Sequence, residues 1–191
     1  MIVLTRISLI NLKNNRMNNL EYIPGDLVMT NGVPLGTAKD VVYRVTSSDP
    51  SKTLKLDDGT VLKGVVCLEN IEGVEFGDKG YLSGDCCAWV KDIVPINLVP
   101  AILEKNGWNK STSWFYVGSE ERGYQFSKEL DDKWDELDRM TYGDLQISQC
   151  ENLRDWNYIN ECNHYFRFEF TYVHELQHLL YALHIDSNLK I

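Results

Sequence analysis

The sequence predicts an α+β protein: a small, strongly bent N-terminal β-sheet, read as an SH3-like barrel, then an α+β region closing on an amphipathic helix. Three observations carry this. Short apolar runs separated by Pro24-Gly25, Asn31-Gly32 and Asp58-Gly59 fill the stretch from Tyr22 to Pro95. Tyr172, Val173, Leu176, Leu179, Leu180 and Leu183 form a broad apolar arc at helical spacing. At 191 residues and 43% hydrophobic, the chain buries about 70% of its unfolded surface on folding, enough for one domain or two small ones. The expected organisation is an extension over residues 1–19, the β-barrel domain over 20–96 and the α+β domain over 97–191.

The first residues are apolar, but Arg6 interrupts them and no small-residue cleavage site follows, so they do not read as an export signal. Met17 offers a second start, which would make residues 1–16 dispensable. In the barrel, strands are expected at Asp26–Met29, Val41–Thr46, Leu54–Leu56 and Thr60–Leu62, with Cys87–Val90 and then Ile93-Val94 closing the set and Asp58-Gly59 as a hairpin turn. Pro100–Lys105 reads as a short helix with proline in its first turn, Ile102 and Leu103 inward and Gly107 as its stop. Ser113–Val117 and Gly123–Phe126 read as a strand pair. Residues 128–140 place Leu130, Trp134 and Leu137 on one narrow helical stripe. Tyr165–Phe170 alternates as a strand, and Thr171 is the expected cap of a helix from Tyr172 to about His184.

Charge excludes some functions. The chain carries 28 acidic against 19 basic residues, a net charge of −9, which repels polyanions and argues against direct nucleic-acid binding through phosphates. No apolar run approaches the ~18 residues of a membrane span. Acid is concentrated in the predicted 128–140 helix, where Glu129, Asp131, Asp132, Asp135, Glu136 and Asp138 surround Trp134. Beside the bland reading, a solvated face, these residues are the candidate partner-binding surface for a basic groove. The five cysteines, Cys67, Cys86, Cys87, Cys150 and Cys162, include no C-x-x-C, so they read as reduced thiols; Cys150 and Cys162, beside His164, match no zinc-module spacing and read as small buried side chains.

His174-Glu175-Leu176-Gln177-His178 is a literal H-E-x-x-H. Residues four apart on a helix share a face, so His174 and His178 could hold one zinc while Glu175 polarises its water as general base of a metallopeptidase. His184 follows at the interval of a third ligand, but Tyr181 stands where the extended motif needs glycine to turn the helix. The apolar arc would leave His174, Gln177, His178 and Tyr181 on the solvent or partner-facing side. The expectation is therefore no metal or other cofactor, with zinc as the alternative.

Tyr172-Val173-His174-Glu175-Leu176-Gln177, Leu180–Leu183 and Asn188–Ile191 resemble the closing segment of a group of small phage, prophage and mobile-element proteins of gut and oral anaerobes. Ile93–Leu98, Ile102–Trp108 and Gly25–Val28 are similar to the same group. Its members commonly carry Asn at the position of His178, which implies a helix without a metal pair. The resemblance implies an accessory protein in the host cytoplasm. With the acidic surface, it leads to the expectation of a non-enzymatic, anti-CRISPR-like inhibitor that binds a host defence nuclease such as a CRISPR effector. A structural or morphogenetic phage component is a third expectation.

Overall fold

Turn chemistry sets out the strands of the N-terminal half. The computed structural model describes residues 22–73, 78–82, 86–111, 123–128, 145–150, 156–160 and 166–191. It divides into two compact units, Met1–Pro95 and Ile96–Ile191.

In the first unit, Gly25 and the buried Asp26, whose carboxylate accepts from Ile23 N at 2.8 Å, turn the chain into β1 (Leu27–Thr30). β2 (Tyr43–Lys55), β3 (Val61–Asn70), β4 (Cys86–Trp89) and β5 (Ile93–Pro95) complete an antiparallel sheet of order β4-β3-β2-β1-β5. A 3-10 turn at Val90–Asp92 leads into β5. Inward-facing Val28, Tyr43, Val45, Val66, Leu68, Ala88 and Ile93 form its core, as period-two alternation requires. The expected sheet is present, but among the described residues no pairing joins β5 to β4 to close a barrel.

β2 is longer than the sequence implied, since its polar middle continues the strand through an irregularity. Between the pairs Asp49↔Val65 and Thr53↔Lys63 three β2 residues oppose Gly64 alone. Asp49 Oδ1 accepts from Ser51 N and Oγ in the bulged stretch. Gly64 sits at φ +68°, where an added Cβ would lie 2.8 Å from Val90 Cγ2, so only glycine fits without displacement. Beyond Gly64 the two strands form an arm. Its loop is Asp57-Asp58-Gly59, with Gly59 left-handed at φ +85° and its N–H on Leu56 O at 3.0 Å.

The second unit starts with α1 (Pro100–Lys105), which buries Ile102 and Leu103. Gly107, at φ 75°, ends it in a Schellman motif: Gly107 N–H donates to Glu104 O and Trp108 N–H to Leu103 O. β6 (Asn109–Lys110), β7 (Gly123–Lys128), β8 (Leu145–Cys150), β9 (Trp156–Asn160) and β10 (Phe166–Phe170) make a second antiparallel sheet in sequential order. Strand β7 therefore pairs with β6 and β8. Ser113–Val117, the expected partner of β7, lies outside the described residues. Lys128, expected to open a helix, ends β7 instead and sets its ammonium 6.0 Å from the Trp108 ring centroid. Phe126, Ile147, Trp156 and Phe170 are buried, with Trp156 Nε1 donating to Leu98 O at 3.0 Å.

Candidate functional site

Helix α2 (Val173–Ala182) carries the H-E-x-x-H residues, and its start departs from the expected capping. Tyr172, not Thr171, is the N-cap. It is held extended, in a bridge with Asn97, while Val173 N–H donates to Ile96 O and Leu98 N–H to Thr171 O. Glu175 supplies the cap from inside the helix. Its Oε2 accepts from Thr171 N at 2.7 Å and from Tyr172 N at 3.0 Å. A carboxylate at the third helical position that reaches back to the N-cap satisfies donors a helix start leaves open, and it lies at the positive end of the helix dipole. The side chain read as a general base thus has a structural task.

The histidine face is a second correction. His174 is 1% exposed and Gln177 4%, so the face expected to meet solvent or a partner is covered over its first turns. Val173, His174, Leu176, Gln177, Leu179 and Leu180 are all buried, roughly 220° of the helix circumference at 3.6 residues per turn. Part of the cover is the C-terminal tail. It returns along the helix so that Gln177 Nε2 donates to Ser187 O at 3.1 Å, and it buries Leu189. Asn106, the C-cap of α1, holds the tail like a strand partner: its Nδ2 donates to Lys190 O and its Oδ1 accepts from Lys190 N, both at 2.8 Å. Lys105 Nζ donates to Ile191 O. The His174 ring stacks on Tyr172 at 5.8 Å and meets His178 edge-on at 5.7 Å.

His184 is neither on the helix nor beside its histidines in any three-residue cluster of metal-ligating type among the described residues. The helix ends at Ala182, and His184 takes the left-handed conformation at φ 58°. Its N–H donates to Tyr181 O and that of Ile185 to Leu180 O, a second complete Schellman motif. The residue at the interval of a third ligand makes the stop that glycine makes at α1.

The partner-binding candidates Glu129, Asp131, Asp132, Trp134, Asp135, Glu136 and Asp138 lie outside the described residues. The structure instead brings forward an arm that sequence reasoning treated as plain hairpin. Leu54 (46% exposed), Leu56 and Val61 (50%) stand in solvent around its tip, while Leu62, directly opposite Leu54, is buried. Charge on the arm is mixed: Lys52, Lys55 and Lys63 accompany Asp49, Asp57 and Asp58. Asp58 Oδ1 accepts from Thr60 N at 2.8 Å, and this bond holds the carboxyl below its ordinary pKa. At the other end of the first sheet, Tyr43 ties two connections together, its hydroxyl accepting from Ala38 N and donating to Gly80 O. Burial pushes its phenol pKa up. Leu35, in the first of those connections, is 94% exposed.

No family pattern, no curated protein and no solved structure matches this chain.

Proposed function

We propose that the protein acts by binding, as a phage or mobile-element accessory protein that inhibits a host defence nuclease of the CRISPR-effector kind in the host cytoplasm. The observation that carries the binding part is the β2–β3 arm, which holds Leu54, Leu56 and Val61 in solvent on a ribbon supported by its own turn. Apolar side chains exposed near a ribbon's tip, Leu54 and Leu56 on one face and Val61 on the other, are what a partner can cover, while a net charge of −9 steers the encounter toward a basic surface. The resemblance of the terminal segment to mobile-element proteins supports the biological setting. The strand order and the 3-10 turn before β5 support reading the first unit as an SH3-like barrel. The acidic segment from Glu129 to Asp138 is the second proposed contact.

The test is capture from host lysate with the tagged full chain and with Leu54→Asp/Leu56→Asp. Wild type is expected to retain a nucleic-acid enzyme, and the variant to lose it at least about tenfold. Recovery of no nucleic-acid enzyme, at low salt as well as physiological salt, overturns the reading. The adjacent His174 and His178 rings favour one rival, a zinc metallopeptidase. Near-stoichiometric zinc, lost on His178→Asn, would revive that rival. Concentration-dependent self-association with no host partner would favour a morphogenetic role.

A further inference from the structure

We propose that Cys67 and Cys87 are an oxidisable dithiol, a site that closes to a cross-strand disulfide on meeting a low-molecular-weight disulfide such as oxidised glutathione. The two residues are direct partners in the β3–β4 ladder, and their sulfurs lie 2.7 Å apart. Directly opposed residues in an antiparallel pair have Cα atoms about 4.5–5.5 Å apart, within the span a disulfide uses, so closure needs no backbone movement. The register is fixed from beneath: the neighbouring pairs Val66↔Ala88 and Leu68↔Cys86 face inward, and Val66, Leu68 and Ala88 belong to the core of the first unit. Period-two alternation then puts Cys67 and Cys87 together on the outer face, where Cys87 is exposed and Cys67 half-buried. Reagent reaches the pair from solvent.

Cys86 sits beside them in sequence but apart in chemistry. It points to the other face, its Sγ donating to Leu35 O at 3.2 Å, and burial, with the Cys67 thiol second, raises its pKa. It is kept as a thiol while its neighbour reacts.

The exchange balances in two steps. Cys87, as thiolate, attacks one sulfur of the small disulfide, forming a mixed disulfide and releasing one small thiolate. Cys67, as thiolate, then attacks Cys87 Sγ, forming the intramolecular bond and expelling the second small thiolate. The two protons lost by the cysteines end on the two released thiols. The protein dithiol has given up two electrons and the small disulfide has gained them.

The experiment equilibrates the full chain in glutathione buffers of graded ratio, quenches with acid, alkylates the remaining thiols and maps them by mass spectrometry. Wild type is expected to lose two hydrogens and to protect Cys67 and Cys87 together. Cys67→Ser and Cys87→Ser are each expected to stop at a glutathione adduct on the remaining cysteine. Cys86→Ser should move the half-oxidation ratio by less than about twofold. On reduced wild type, phenylarsine oxide, which bridges two neighbouring thiols, should protect the same two residues from alkylation. A disulfide that maps to another pair, both thiols alkylated in a large excess of oxidised glutathione, or no arsenical protection would each overturn the proposal.

Discussion

Helix α2 buries His174 and Gln177 among its leucines, whereas the β2–β3 arm leaves Leu54, Leu56 and Val61 in water. The segment whose residue types suggest chemistry is used for packing and capping, and the segment whose residue types suggest packing is left uncovered. A motif states which atoms are available; the surrounding chain decides whether they are committed. Glu175 is committed by two backbone N–H groups and Gln177 by the returning tail, while Leu54 and Val61 at the arm's tip stay about half exposed.

The largest expected effect separates the two regions directly. Leu180→Ala, at a fully buried position of α2, should cost about 2–5 kcal/mol in denaturant unfolding, whereas Leu54→Ala should stay within about 0.5 kcal/mol. Equal losses would mean that the arm is covered. Next comes Glu175→Ala, expected to cost about 1 kcal/mol through the lost cap. Unchanged stability would return the carboxylate to the role of an uncommitted base. His184→Gly should stabilise the protein by about 0.5–1 kcal/mol, since glycine holds a left-handed φ without steric penalty. A loss of stability instead would show that the imidazole is needed there.

The smallest effect lies on the arm. Hydrogen bonds from Thr60 depress the folded-state pKa of Asp58, so its contribution is complete above the ordinary value of 3.8 and fades as pH falls through the lower folded value. The Thr60 amide resonance should titrate with a midpoint below 3.8 in wild type and lose that step in Asp58→Asn. A midpoint at or above 3.8 would dissolve the turn as described.

Much of the fold was legible because local rules decide it. Pro100 and Gly107 bracket α1 as expected, and Asp57-Asp58-Gly59 turns the hairpin. Leu145-Gln146-Ile147 alternates over only three residues, too short a period to mark β8 in the sequence. Two other features were invisible for physical reasons. A polar stretch such as Ser47–Thr53 carries no apolar period, and its strand exists because β3 pairs with it around Gly64. The seat of Gln177 draws on a returning tail held by Asn106, which the helix's own residues do not encode. Likewise, the Cys67 and Cys87 pairing is set by register, and cysteine spacing says nothing about register until both strands are placed.

The amide of Asn106 grips a backbone 84 positions further along, and that separation bears on how quickly the second unit forms. Contacts of such long range become available only after the intervening chain has been gathered, so they add to the entropic barrier and arrive late on the folding route. The seat of Leu189, and with it the tail's hold on Gln177, is therefore expected among the last parts to settle after dilution from denaturant. It is also among the first to open when the unit is stressed.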